Sequence, residues 1–134
     1  LKVLVDTSIW SEVLRRQESP NELILRELES LIRDFLVQLI GPIRQEILSG
    51  IKSVKQFEKL KDYLRSFPDY QIQSEDFELA AQFFNQCRSK GIQGSNTDFL
   101  ICAIAVNNNW QVFTTDQDFL HFQQIIPVQL YKTK

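Results

Sequence analysis

At 134 residues and 43% hydrophobic content the chain is sized for one domain with a real core, and a multi-domain reading is excluded. It has no apolar run near the roughly 18 residues of a membrane span and no signal-type N-terminus, so a cytoplasmic protein without membrane partners is expected. One histidine, two cysteines and a net charge of −2 exclude multi-histidine metal sites, leave Ser or Cys triads unsupported and show no basic footprint for nucleic acid.

An initiator methionine is expected ahead of Leu1. Val3, Leu4 and Val5 predict a strand covered on both faces, as in parallel sheets, and the run stops on Asp6, Thr7 and Ser8. Ligands of such sheets bind beyond the carboxyl ends of the strands, which makes Asp6 a candidate site residue, although Asp after a strand also serves as a cap or turn former. Residues 9–16 predict a first helix, with Ile9, Trp10, Val13 and Leu14 at helical spacing and Thr7 or Ser8 as N-cap. Past Pro20, residues 21–33 repeat the pattern with Leu23, Ile24, Leu28, Leu31 and Ile32. Residues 35–40, closed by Gly41 and Pro42, predict a second strand feeding a helix that carries Glu46 early and runs to about Gly50. Residues 54–67 predict a further helix, with Phe57, Leu60, Leu64 and Phe67 on one face and Lys52, Lys55 and Lys59 on the other.

Pro68 stops that helix, residues 70–72 predict a short strand, and Ser74 caps a helix with Glu75 and Asp76 in its first turn that reaches about Lys90. Gly91 supplies the stop, residues 92–96 a loop, and Thr97 opens an apolar helix through Val106 with Asp98 in its first turn. Asn107, Asn108 and Asn109 end it. Residues 110–115 predict a strand ending at Asp116, which repeats the arrangement at Asp6, and residues 125–131 predict the last strand. Strands alternating with helices predict a single α/β domain over 1–134, with a mostly parallel central sheet and helices on both sides.

Four acids fall at matching places in this scheme. Asp6 and Asp116 end strands, while Glu46 and Asp98 open helices, so all four can converge on one edge of the sheet. Two like charges about 4 Å apart cost about 4 kcal/mol at an effective dielectric near 20, and divalent cations are the natural remedy. Carboxylate and water ligands suit Mg²⁺ or Mn²⁺, and the chemistry that fits is phosphodiester hydrolysis. Setting the four acids aside leaves the remaining surface at +2, so the overall charge does not exclude a nucleic-acid partner.

With these residues in place the chain resembles the PIN-domain endoribonucleases, most closely the VapC-type toxins of bacterial toxin-antitoxin pairs. The resemblance spans nearly the whole length. It is carried by Val5-Asp6-Thr7-Ser8, by Glu46 with Leu48 and Gly50, by Asp98 with Ile101 and Ala103, and by Thr114 with Asp116, Asp118 and Phe119. It implies a PIN-like three-layer α/β/α sandwich and Mg²⁺- or Mn²⁺-dependent cleavage of RNA. Asp6, Glu46, Asp98 and Asp116 are the implied catalytic acids. Asp6, Asp98 and Asp116 are the implied metal ligands, with Glu46 either binding metal or acting on the attacking water. The resemblance also implies a homodimer and a small cognate antitoxin. That partner would lay a C-terminal segment over Trp10, Val13, Leu14, Leu23 and Ile24 and direct a basic side chain at the acids. Cys102 stands where the family commonly has a smaller residue.

Several residues carry two readings. Ser8 either orients Asp6 or caps the first helix; Thr114 is either near the site or an ordinary strand residue; Asp118 is either a supplementary ligand or, by preference, a helix-start carboxylate. The lysine stripe, with Arg15 and Arg16, either guides RNA or forms a solvated face. Trp10 fills the core by default, Cys87 and Cys102 read as reduced structural thiols, and His121 has no assigned role. A receiver-type phosphotransfer domain would need an acceptor Asp on a middle strand and a partnering Lys, neither of which is evident. A catalytically degenerate PIN domain acting only as an RNA- or partner-binding scaffold is the remaining rival, and retention of all four acids argues against it.

Overall fold

The computed structural model describes residues 1–14 and 21–133. Its sheet begins with β1 (Val3–Val5), buried along its whole length as the unbroken Val-Leu-Val run requires. β2 (Val37–Gln38) and β3 (Gln111–Phe113) pair with β1 on either side, and β4 (Gln129–Leu130) pairs with β3. Every pairing is parallel, and the order is β2-β1-β3-β4, so the first strand is an inner one. These strands are short against the usual ~5–6 residues, and the sheet depends on what packs against it.

Seven helices are described: α1 (Thr7–Leu14), α2 (Glu22–Arg33), α3 (Gly41–Leu48), α4 (Val54–Leu64), α5 (Ser74–Ser89), α6 (Asn96–Asn108) and α7 (Asp118–Phe122). The result is an α/β sandwich with a parallel central sheet, as expected. α6 is apolar around its circumference, and Phe99 through Ala105 are all buried. A helix of that kind belongs in the middle of a core. It forms a hairpin with α5 across Gly91, whose φ of 75° suits glycine at a helix stop. No described helix is long and apolar enough to cross a membrane.

Local chemistry explains where the elements depart from expectation. α1 starts at Thr7, because the Asp6 carbonyl accepts from the amides of Ile9 and Trp10; neither Thr7 nor Ser8 is the cap. Phe35 does not open β2. It sits at φ 59° in the preceding turn, largely exposed, while the strand waits for Val37. α4 ends at Leu64, before Phe67 and Pro68. The expected strand at 70–72 reduces to one parallel bridge between Leu39 and Asp69, and the last strand shrinks to Gln129–Leu130. Arg44 explains the first of these. It holds both carboxylate oxygens of Asp69 at 3.1 Å and donates to the carbonyls of Leu64 and Phe67, turning residues 65–69 onto α3. The amide of Tyr70 makes the bridge's bond to the Leu39 carbonyl at 2.9 Å, and its side chain turns to donate to the buried Asp76 at 2.8 Å and to meet Trp110 edge-on. The caps of α5 and α6 also fall one and two residues early, at Gln73 and Ser95, each closing a box with an Asp three residues on.

Trp10 is completely buried, donates to the Val5 carbonyl at 3.2 Å and meets Phe67 edge-on. It is a core residue and is not available as a docking anchor. The predicted end of the first helix, with Arg15 and Arg16, lies outside the described residues.

Among Gly41, Gly91 and Gly94, the one packed too closely to take a side chain is Gly94. A Cβ there would stand 2.5 Å from Cζ of the fully buried Phe122 and 3.0 Å from Phe99. Gly94→Ala should therefore destabilise the fold by about 1–3 kcal/mol in urea unfolding, because neither ring has room to retreat. Gly41→Ala meets nothing within 4 Å and should be neutral or slightly stabilising in the same measurement.

Candidate functional site

The pairing of β1 with β3 sets Val5 opposite Phe113, and the amide of Asp6 extends the ladder by donating to the Phe113 carbonyl at 2.9 Å. Thr114, the next residue of the neighbouring strand, is thereby brought to Asp6. Its hydroxyl donates to Asp6 Oδ2 at 2.8 Å, and the Ser8 hydroxyl reaches the same oxygen at 3.0 Å. Each hydroxyl accepts in turn from a backbone amide, Thr114 from Asp116 at 3.0 Å and Ser8 from Thr115 at 3.1 Å. The buried Asp6 carboxylate is thus held by two charge-assisted bonds whose donors are fixed by the β3 exit loop. Ser8 and Thr114 both orient the Asp6 carboxylate.

Asp98 arrives from the other direction. It is the third residue of α6, where its amide donates to Ser95 Oγ at 3.0 Å and its carboxylate accepts from the Ser95 amide at 3.1 Å. This box pins the side chain at a helix start, where a negative charge is favoured. Asp116 accepts from the amide of Asp118 at 2.9 Å, and that bond turns the chain into α7. Among the described residues, Asp98, Asp116 and Asp118 each present an oxygen within 4.8 Å of the other two.

Two of the four acids expected at the site, Asp98 and Asp116, therefore meet closely, and the structure adds Asp118 to them. Asp118 is both the helix-start carboxylate and a member of the cluster. The Asp116-x-Asp118 spacing was the signal for this, since two residues apart across such a turn place both carboxylates on one side. Asp6 and Glu46 stand outside the tight trio but within electrostatic reach of it. Burial, then Asp6 and Asp98, raises the Glu46 carboxyl above the ordinary range, while the Thr7 hydroxyl opposes part of the rise. Thr7 Oγ1 is itself buried and makes no hydrogen bond of ordinary geometry. Asp98 is also raised, first by burial and then by Asp116 and Asp6, against the lowering effect of the Ser95 hydrogen bonds.

The trio offers only oxygen. Oxygens around one Mg²⁺-sized ion at about 2.1 Å lie about 3 to 4 Å apart, so three carboxylates within 4.8 Å of one another fit a hard divalent cation. No His or Cys belongs to the group, which disfavours softer metals. Cys87 and Cys102 are buried free thiols raised by burial, Cys102 strongly, and are packing residues rather than nucleophiles. His121 is exposed on α7, and Lys52, Lys55 and Lys59 are exposed and form no ion pair among the described residues.

The sequence profile of the PIN domain matches residues 3–124. The chain belongs to the PIN-domain family. Solved structures of the same fold include FitAcB from Neisseria gonorrhoeae, 22% identical over 97% of this chain and 96% of that one, with a TM-score of 0.76. DNA-bound VapBC from Salmonella typhimurium is 15% identical over 98% and 97%, with a TM-score of 0.78. VapBC-5 of Mycobacterium tuberculosis, a member of the VapBC family of toxin-antitoxin systems, is 17% identical over 99% and 100%, with a TM-score of 0.70. No curated protein sequence gives a significant match. Within this PIN fold, the two hydroxyls around Asp6 are the clearest structural support of the acidic edge.

Thr114→Val removes one of the two donors to Asp6 and the acceptor of the Asp116 amide. It is expected to lower stability by about 1–3 kcal/mol in denaturant unfolding, with circular dichroism unchanged in the native state.

Proposed function

We propose that this chain is a Mg²⁺- or Mn²⁺-dependent endoribonuclease that hydrolyses RNA phosphodiesters and acts as the toxin of a toxin-antitoxin pair. The single observation that carries the reading is the convergence of Asp98, Asp116 and Asp118 beside a hydroxyl-braced Asp6 at the carboxyl edge of a PIN-domain sheet. PIN domains are typically nucleases that use divalent metal, and the oxygen-only trio suits such an ion.

Asp98 and Asp116 are the first metal ligands in this scheme, Asp118 a third, and Asp6 completes the set from β1. When bound, the cation supplies Lewis acidity toward the phosphodiester and its leaving oxygen. Ser8 and Thr114 hold Asp6 in one rotamer, so the site does not have to order itself when substrate arrives. Glu46, at the exposed rim and outside the trio, orients the attacking water and takes its proton. A scaffold without chemistry would gain nothing from keeping these carboxylates together. The test is incubation of the purified protein with total RNA. Discrete fragments should appear with Mn²⁺ or Mg²⁺, vanish in EDTA and return on metal addition. Asp98→Asn and Asp6→Asn should abolish cleavage with the fold intact, and Thr114→Val should reduce it about 10–100-fold. Full cleavage in excess chelator would overturn the reading.

The partners in this reading are a second copy of the chain and a small antitoxin, in line with the toxin-antitoxin complexes that share the fold. With Trp10 buried, the apolar anchors open to an antitoxin segment are Leu23, exposed on α2, and the half-buried Val13, Leu14 and Ile24. Sedimentation at micromolar concentration should give about twice the 15.7 kDa of one chain. Nuclease activity should fall in proportion to antitoxin bound, and Leu23→Asp should weaken that inhibition. A monomer at all concentrations would exclude the dimer.

A further inference from the structure

Among the described residues, Thr7 Oγ1 is the one buried side-chain oxygen or nitrogen without a hydrogen-bond partner. Such an atom has lost water without gaining a partner, so its retention calls for an explanation other than stability. A helical threonine commonly turns its hydroxyl to the carbonyl three or four residues earlier. Thr7 is the first residue of α1, so those positions are Leu4 and Val3 of the strand, and no helical turn stands behind it. Capping does not employ the hydroxyl either, since the amides of Ile9 and Trp10 both donate to the Asp6 carbonyl.

Its neighbours in the chain are engaged elsewhere. Asp6 and Ser8 bond to each other and to Thr114, and none of those bonds involves Thr7. The element facing Thr7 is α3, which packs on α1. Ile43 and Ile47 are the buried face of α3, and Glu46, three residues after the first and one before the second, lies on the flank of that face. The Thr7 hydroxyl is close enough to the Glu46 carboxyl to lower it, against the burial and the acids that raise it. Glu46 also has no other donor among the described residues, whereas Asp98 is held by Ser95, Asp116 by the Asp118 amide and Asp6 by two hydroxyls. An unused donor and an unheld acceptor thus stand side by side at the acidic edge.

Resting on the nuclease reading, we propose that Thr7 is a positioning residue for Glu46, its hydroxyl donating to one carboxylate oxygen as Glu46 turns inward and leaving the other to take the proton of the attacking water. A carboxylate has two oxygens, so one can be held while the other handles the proton. The bond is not made at ordinary geometry in the free protein, where Glu46 stays at the exposed rim. It forms in the working arrangement, as catalytic hydrogen bonds that are long or poorly aligned without substrate commonly do.

The test compares the full chain with Thr7→Val and Thr7→Ser on a short single-stranded RNA of mixed sequence in Mn²⁺. Thr7→Val, close in shape but without the hydroxyl, should lower kcat roughly 10–100-fold with KM unchanged, and Thr7→Ser should restore most of the rate. The melting temperature of Thr7→Val should be equal to the parent's or higher, because the change removes an unpaired buried hydroxyl. Its affinity for Mn²⁺ alone, measured by calorimetry, should not change. Loss of a general base costs about 10²–10⁴-fold and leaves a rate to measure, so Thr7→Val added to Glu46→Gln should cost nothing further. An unchanged kcat on Thr7→Val would overturn the role, as would a multiplicative loss in the double variant. A lower melting temperature would overturn it by giving the hydroxyl a structural partner, and a weaker Mn²⁺ affinity by assigning it to Asp6. The two readings fail distinguishably. Metal-dependent cleavage untouched by Thr7→Val removes the role of Thr7 alone, whereas a parent protein that cuts no RNA removes the nuclease and this role with it.

Discussion

The register of β1 on β3 is the constraint from which the acidic edge follows. Val5 opposite Phe113 leaves Asp6 and Thr114 as the first residues beyond the ladder on adjacent parallel strands. A shift of one residue would turn the Asp6 side chain to the other face of the sheet and part it from the Thr114 hydroxyl. What holds the register is burial: Val3, Leu4, Val5, Val112 and Phe113 are all in the core, and α6 packs its apolar length on β3. The hydrophobic core and the site are therefore not separate designs. Packing chooses the register, and the register aligns the carboxylates.

That alignment is electrostatically unfavourable by itself. A pair of carboxylates 4.8 Å apart repel by about 3 kcal/mol at an effective dielectric near 20, before any relief from solvent. Several local devices offset the cost. The start of α6 and the Ser95 box receive Asp98, the Asp118 amide receives Asp116, and two hydroxyls receive Asp6. The carboxyls of Glu46 and Asp98 are raised above their ordinary values, in both cases by burial first, with the neighbouring acids adding to the rise. Each of these interactions stabilises an anion in place without neutralising it. An arrangement that braces negative charge, with no Lys or Arg paired to these acids among the described residues, is complementary to an external cation.

Much of this was legible in the sequence, and the exceptions have physical reasons. Continuous apolar runs ending in acids revealed β1 and β3, because a strand buried on both faces leaves no other pattern. The entirely apolar α6 was equally plain. The misplaced details depend on backbone geometry and on partners that hydrophobic periodicity does not reveal. Phe35 was grouped with β2 on hydrophobicity, yet its backbone is left-handed and its ring faces solvent. Residues 70–72 have strand-like composition, yet Arg44, 25 positions before Asp69, turns the chain away before a ladder can form. Ser8 reads as either a cap or an orienting group, and its bond to Asp6 Oδ2, beside Thr114 from 106 residues away, decides for the second. Asp118 was read as a helix start, which it is; its membership of the trio required the turn that its own amide makes with Asp116.

The acids also differ in how they are held. Asp98 and Asp116 are each held by a backbone amide, that of Ser95 and that of Asp118, whereas the exposed Asp118 carboxylate accepts no hydrogen bond from a described residue. Asp6 comes from a strand end with two side-chain donors on one oxygen, Oδ2, and no hydrogen bond drawn to Oδ1 among the described residues. Glu46 has neither arrangement. It reaches in from α3 on a longer side chain, exposed and outside the trio. A ligand must be held still to set a cation's geometry, whereas a group that handles protons gains from an extra torsion and from access to solvent. In the proposed reading the braced Asp6, Asp98 and Asp116 are the ligands and the unbraced Glu46 handles the proton, along that line.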